Sequence, residues 1–223
     1  KIQSVRGTKD IFPAEMQKYN NIINKAKFIS ELYGFKEASF PIIEKSDVFT
    51  RPLGESSDVV SKETYTFADR GGDRITLRPE GTAGIMRSVL SQGKLNELPI
   101  KLFYSGPMFR YERPQKGRLR QFIQIGIESI GSSNAIEDVE VIQCGVSLLN
   151  KLGILKSCIL NINSLGDTES RKLYKDNLVK YFLSNEAKLS EVSQGRLSLN
   201  PLRILDSKEP EDQDIIKKAP LLS

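Results

Sequence analysis

The sequence predicts an α+β fold, antiparallel hairpins with helices laid against one side, on three observations. Two pairs of short alternating segments flank turn-forming residues, at 65–77 and at 101–131. Apolar residues recur at helical spacing after Pro13, after Asn134 and after Glu169. At 223 residues, 39% hydrophobic and 27% charged, the chain is also long enough to build one sizeable core.

After Pro13, the residues Met16, Tyr19, Ile22, Ile23, Ala26, Ile29 and Leu32 trace the stripe of a long amphipathic helix, and Gly34 stands where a C-terminal cap belongs. Phe35 to Ile43 reads as a strand broken at Pro41. Tyr65–Ala68 and Arg74–Leu77 alternate around Asp69-Arg70-Gly71-Gly72-Asp73, which is turn chemistry for a hairpin. The second strand delivers the turn Arg78-Pro79-Glu80-Gly81-Thr82, and Ala83 to Leu90 reads as a helix beginning beside it. Two readings of that turn stand side by side on spacing alone. Glu80 meets the ammonium group of a ligand, or Thr82 caps the helix and Glu80 favours its positive end.

Lys101 to Glu112 and Gln121 to Gly131 form the central hairpin. Asn134 is expected to cap a helix running to Leu152, with Val139, Ile142, Val146 and Leu149 inward. Cys158 to Asn163 reads as a further strand and Glu169 to Leu183 as a further helix, before a charged stretch that closes near Pro220. No repeat, low-complexity segment or domain linker is evident.

Composition excludes several function classes. No apolar run approaches about 18 residues and no signal-like stretch opens the chain, so no membrane span or secretion is expected, and the cytoplasm is the expected compartment. Cys144 and Cys158 lie in apolar segments and are expected to be reduced core thiols. The chain contains no histidine, which removes the usual general base and the commonest metal ligand; no protein-built metal site is expected. Chemistry must then run through positioning, charge stabilisation or a bound ion. A net charge of +5 agrees with a nucleotide or nucleic-acid partner, but its placement is more telling than its size.

That placement is the stretch Phe109 to Glu128, FRYERPQKGRLRQFIQIGIE. Along its second segment Phe122, Gln124, Gly126 and Glu128 share one face of a strand, while Ile123, Ile125 and Ile127 share the other. One face packs and the other recognises a ligand. Gly126 is expected to leave a gap through which a ligand approaches the backbone. A loop centred near Gly117 places Arg110 opposite Gln124, so that Arg110, Gln124 and Glu128 line one surface. Arg110, Arg113, Lys116, Arg118 and Arg120 face Glu112 alone within this loop, a pattern that suits a polyphosphate. Charge-assisted bonds of this kind contribute about 1.5–3 kcal/mol each when shielded from water. For the loop residues by themselves, a solvated basic hairpin tip is an equal alternative.

FRYERPQKGRLRQF followed by Q-x-G-x-E resembles motif 2 of the class II aminoacyl-tRNA synthetases, and specifically that of the histidyl-tRNA synthetases. Arg78-Pro79-Glu80-Gly81-Thr82 resembles that family's amino-acid-binding turn, and Val5-Arg6-Gly7-Thr8-Lys9-Asp10 with Phe12-Pro13 its N-terminal signature. The likeness runs as far as Asn200-Pro201-Leu202-Arg203-Ile204-Leu205-Asp206-Ser207-Lys208. It implies a class II catalytic core over residues 1–223, an antiparallel sheet flanked by helices, with motif 1 at about 14–45 and motif 2 at about 101–131. Helix and proline-bearing strand of motif 1 imply a homodimer interface, where the stripe alone would be read first as plain core packing.

The resemblance further implies activation of L-histidine by ATP, with Mg2+ bridging the phosphates, and transfer to the 3′ end of histidine tRNA. Arg110 would grip the α-phosphate and the reacting carboxylate. Glu80, Gly81, Thr82 and Gln124 would hold the α-ammonium group, and Glu128 would accept from the imidazole. Phe122 would stack on adenine with Glu112 at its edge; Arg113 and Arg118 would contact the outer phosphates or the tRNA acceptor end. The family often has histidine where Tyr111 and Ile123 stand, and by parity both point away from the ligand face. The family's later histidine-specific motif, its motif 3 arginine and its anticodon-binding domain are absent. The chain is therefore expected to be an N-terminal portion, nearly inactive alone. Two other classes stay open: a synthetase-like regulatory subunit of ATP phosphoribosyltransferase, and a non-catalytic tRNA-binding or interaction fragment.

Overall fold

The computed structural model describes residues 1–53, 63–163 and 166–221. They fall into two compact units, Lys1–Cys158 and Ile159–Ser223, at a boundary that no linker composition marks. The mixture of helices and largely antiparallel sheets is the α+β class that the sequence predicts.

In the first unit, helix α1 (Pro13–Leu32) starts on a proline and ends on Gly34, whose φ is 83°. The amides of Gly34 and Phe35 reach back to the carbonyls of Glu31 and Ser30, both at 3.0 Å, a double closure of the last turn. Phe35 then packs with Ile29 and Ala26 under the sheet, but Met16, Ile22 and Leu32 of the expected stripe are exposed. Only the C-terminal half of the helix is buried within the chain.

The stretch Phe35 to Ile43, read as one broken strand, instead feeds two sheets. Strand β1 (Lys36–Glu37) pairs in parallel with β5 (Ile100–Phe109), which pairs antiparallel with β6 (Gln121–Ile130). Strand β2 (Ile43–Lys45) joins a second sheet, antiparallel to β4 (Arg74–Leu77), itself paired with β3 (Tyr65–Ala68). The cause lies at Phe40 and Pro41: proline offers no ladder donor, and both carbonyls accept from the Arg78 guanidinium instead. The β3–β4 turn forms as expected, with Asp69 Oδ1 accepting from the amides of Gly71 (2.8 Å) and Asp73 (2.9 Å).

Helix α2 (Asp47–Leu53) follows β2, and α3 (Thr82–Ser91) follows β4. Helix α4 (Ala135–Lys151) carries the expected cap, Asn134 Oδ1 accepting from the Ile136 amide at 3.0 Å. Of its expected inward row Ile142, Val146 and Leu149 are partly buried, but the row is not the most buried one. Cys144 is buried with Val141 and Leu148 against the same cluster, while Val139 is 62% exposed. The helix is apolar around more than one face, so spacing alone does not choose the row. The contacts of Cys144 with the cluster of Phe35 and Phe103 set it, and Glu137 and Glu140 pair with Lys101 on β5.

Cys158 to Asn163 forms no strand. Its apolar side chains Ile159, Leu160 and Ile162 are exposed, as is Cys158, which is therefore not the core thiol that Cys144 is. Alternation makes a strand only when a neighbour supplies the ladder, and no described strand lies alongside.

The second unit is helical. Helices α5 (Thr168–Leu183), α6 (Glu191–Leu199) and α7 (Pro210–Ile216) enclose Leu178, Phe182, Leu189, Leu197, Ile204 and Ile215. Asp212 lies fully buried among them and accepts from the Ser190 amide and hydroxyl, both at 2.9 Å, from Ser193 Oγ at 2.6 Å and from Ser207 Oγ at 2.5 Å.

Candidate active site

The hairpin β5–β6 has two working faces. Phe103, Ile125 and Ile127 pack toward α1 and α4, as parity requires, while Tyr104, Met108 and Phe122 pack on the opposite side with Phe40 and Ile85. The register corrects the expected one. Gln124 stands opposite Gly106, Phe122 opposite Met108, and the Arg110 amide bonds the Arg120 carbonyl at 2.9 Å. The tip does turn at Lys116-Gly117, closed by a bridge between Gln115 and Arg118. Extra residues in the Tyr111–Pro114 arm offset the ladder behind it. Arg110 still shares the face of Gln124 and Glu128, because the offset of the ladder is even.

The turn after β4 is built around buried Arg78. Its guanidinium donates to the carbonyls of Phe40 (2.7 Å) and Pro107 (2.9 Å) and lies over the Phe40 ring. Burial pulls its pKa down, with nearby Glu44 and Tyr104 acting against that. Gly106 is required beside it, since a Cβ there would stand 2.5 Å from Nη2. Arg78 thereby fixes Pro79, and the Pro79 carbonyl in turn accepts from Arg110 Nε at 2.9 Å.

Beyond Pro79, Glu80 accepts from the amides of Thr82 (2.6 Å) and Ala83 (2.9 Å) at the start of α3. Of the two open readings of Glu80, the helix-end contact is thus formed, and Gly81 rather than Thr82 is the cap residue. Thr82 Oγ1 donates to Glu128 Oε1 at 2.8 Å, and the Tyr104 hydroxyl approaches the same oxygen at 3.4 Å. Burial raises the Glu128 pKa, and the Glu80 charge raises it further, while the Thr82 and Tyr104 hydroxyls act against both. Burial, then the Glu128 charge, push Tyr104 up to about 12. Two carboxylates grouped with hydroxyl donors make a surface that favours a cationic or N–H-bearing ligand.

The gap expected at Gly126 is filled. A Cβ there would lie 2.3 Å from the Tyr104 ring, and one at Gly81 would lie 2.1 Å from it, so the ring is held between two glycine backbones. Sequence reasoning missed Tyr104 and Arg78. Tyr104 has the parity of Met108 and Arg110, and its position opposite Gly126 becomes legible once the register is known.

A cavity of about 520 Å³ is lined by Arg110, Glu112, Arg118 and Phe122 with Glu63, Leu119 and Ile123. The Arg110 guanidinium lies 5.2 Å from the Phe122 ring centre. The Glu112 carboxylate sits 3.7 Å from Arg110 and 3.4 Å from Arg118. Ile123 therefore borders the ligand side after all, at the edge of the sheet, whereas Tyr111 lies under Arg120 and against Tyr65. Arg113 is exposed and is not part of this lining. Gln124 stands between Phe122 and Glu128 on the same strand face, and its buried Oε1 has no partner among the described residues. An unpaired buried amide oxygen marks a place for a ligand donor.

Known proteins resemble this chain over most of its length. The family model for histidyl-tRNA synthetase matches residues 7–166. The histidine–tRNA ligase of Rhodospirillum rubrum is 52% identical over 99% of the chain, and that of Rickettsia felis 50% identical over 100% of it. The crystal structure of apo S. aureus histidyl-tRNA synthetase superposes with a TM-score of 0.74 at 38% identity, covering 98% of this chain and 51% of that one. The chain spans about half the length of these relatives, 53% and 54% of the two ligases. The match over most of its length shows that this chain belongs to the histidyl-tRNA synthetase family.

Proposed function

We propose that the chain is the motif 1 and motif 2 portion of a histidine–tRNA ligase, activating L-histidine with ATP and passing it to the 3′ end of histidine tRNA in the cytoplasm. The observation that carries this reading is the buried Gln124 Oε1, which has no partner among the described residues and stands on the strand face between Glu128 and the arginine-lined cavity at Phe122. One ligand must be cationic or N–H-rich and the other anionic, and they must meet near Gln124 and Arg110.

In this reading the histidine ammonium donates to Gln124 Oε1 and approaches Glu80 and Thr82. Both hydroxyl donors reach Glu128 Oε1, so Oε2 is the oxygen offered to an imidazole N–H. Tyr104 stays protonated at neutral pH and holds that carboxylate in place. Phe122 supplies the face for adenine, with Glu112 at its edge. Arg118, and Arg113 from the exposed tip, meet the outer phosphates or the tRNA end. Arg110 has its Nε committed to Pro79, which leaves its terminal nitrogens for the α-phosphate and the attacking carboxylate. The histidine carboxylate oxygen bonds to the α-phosphorus and the bond to pyrophosphate breaks. Arg110 stabilises the charge that develops, and no protein nucleophile is required.

Among the described residues no group of three or more His, Cys, Asp or Glu could hold a metal ion, so they do not fit a protein-built magnesium cage. Magnesium belongs to the reading only as part of the magnesium–ATP substrate. Homodimerisation through α1 and the Pro41 segment belongs to it too, supported by the exposed Phe12, Met16, Ile22, Phe28 and Leu32. Sedimentation that finds only monomer at micromolar concentration contradicts that part. Histidine-dependent exchange of pyrophosphate into ATP, by the protein at the length of its relatives, tests the activity. A folded protein that exchanges none overturns it.

A further inference from the structure

The N-terminal segment touches the basic hairpin at Gly7. Val5 to Thr8 form a reverse turn, the Val5 carbonyl accepting from the Thr8 amide at 2.9 Å and from the Thr8 hydroxyl at 2.7 Å. Gly7 is its third residue and has φ +86°, a left-handed backbone that glycine adopts without strain. The Gly7 carbonyl accepts from the Arg120 amide at 2.7 Å. A Cβ on Gly7 would stand 2.8 Å from Arg120 Cγ and 3.0 Å from Pro114 Cγ, so the turn sits against both arms of the hairpin at once.

It does so where the ladder is irregular. Between the last regular pair, Phe109 with Gln121, and the bridge of Gln115 with Arg118, the extra residues of the first arm have no partner strand among the described residues. Arg120 organises that gap. Its carbonyl takes the Arg110 amide, its Nε donates to the Glu112 carbonyl at 3.2 Å, and its guanidinium lies 3.9 Å from the Tyr111 ring centre. Glu112, positioned in this way, holds its carboxylate between Arg110 and Arg118.

We propose that the Val5–Thr8 turn is a clamp on the hairpin tip, and that Gly7 is a positioning residue which, through Arg120 and Glu112, sets where Arg110 and Arg118 present their charge. Gly7 touches no substrate. Its kinetic consequence rests on the proposed function; its structural consequence does not.

Both are tested with Gly7→Ala, and with Thr8→Val, which removes the hydroxyl bond of the turn without crowding Arg120. Gly153→Ala is the control, because Gly153 has φ +77° with open space around it and so imposes similar backbone strain elsewhere. Hydrogen exchange on the ligand-free protein should speed about tenfold at the amides of 111–120 in Gly7→Ala, in the same direction but less in Thr8→Val, and not in Gly153→Ala. In histidine-dependent pyrophosphate exchange, Gly7→Ala should raise KM for ATP about tenfold, leaving KM for histidine within about twofold. Unchanged exchange at 111–120, or equal changes in Gly153→Ala, overturns the clamp. Faster exchange with an unaltered KM for ATP overturns its positioning role. A wild-type protein without activity sinks the proposed function instead, and leaves the exchange result to decide the clamp.

Discussion

Tyr104 and Gly126 stand directly opposite one another across the central hairpin, and the tyrosine ring occupies the volume that any side chain at Gly126 would need. Gly126→Ala should therefore expel the ring from its slot. A fixed strand cannot yield as a flexible side chain can, so a loss of about 1–3 kcal/mol is expected. The Thr82–Glu128 contact should loosen with it. Thermal unfolding followed by circular dichroism reads the stability. Tyr104→Phe, which keeps the ring and removes the hydroxyl, should fold normally and raise KM for histidine by about threefold. A Gly126→Ala protein as stable as wild type contradicts the packing.

Glu128 accepts from Thr82 and Tyr104 and faces the proposed histidine rather than ATP. Glu128→Ala should raise KM for histidine about a hundredfold while changing KM for ATP by less than about threefold. Steady-state exchange kinetics separate the two, and equal losses for both ligands remove Glu128 from the recognition of histidine.

Features set by neighbouring residues were legible in the sequence, and those set by distant partners were not. Asp69 bonding the amides of its own turn and Asn134 capping its own helix are local, and both formed where the pattern placed them. Parity along β6 survived the register error because the offset is even. The register did not, since the extra residues at Tyr111–Pro114 are stabilised by Glu63, Gly7 and Arg120, all outside that arm. The inward face of α4 was set by its contacts with Phe35 and Phe103, far away in sequence. Cys158 to Asn163 alternates as strands do, but pairing belongs to two segments and no pattern in one can supply it. Tyr104 escaped notice because its meaning comes from Gly81 and Gly126, on two other elements.

Arg110 joins the two halves of the candidate site, bonded to Pro79 of the turn after β4 and lying over Phe122 in the arginine-lined cavity. Arg110→Lys should not rescue it, because lysine lacks both the Nε donor and the planar fork. Both Arg110→Ala and Arg110→Lys are expected to lower kcat for pyrophosphate exchange by about 10²–10³. The KM for histidine should move much less. An unchanged kcat in either variant takes Arg110 out of the catalytic step.

Asp212 is a buried charge satisfied entirely by serine hydroxyls and one amide, and this makes the second unit sensitive to acid. Burial pushes its pKa up, but hydrogen bonds from Ser193, Ser207 and Ser190 outweigh burial and hold it below the ordinary carboxylate value. A carboxylate depressed in the folded state binds its proton more readily when unfolded. The stability it contributes is therefore present above its unfolded pKa of about 3.9 and is lost as pH falls toward the lower folded value. Asp212→Asn keeps the shape but replaces an acceptor oxygen with a donor facing Ser190, Ser193 and Ser207. At neutral pH it should cost about 2–4 kcal/mol. Below about pH 4 the difference between the variant and wild type should shrink, because wild-type Asp212 is then losing its charge as well. Denaturant unfolding across that pH range checks this, and a difference that stays constant with pH shows that Asp212 is not ionised in the folded chain.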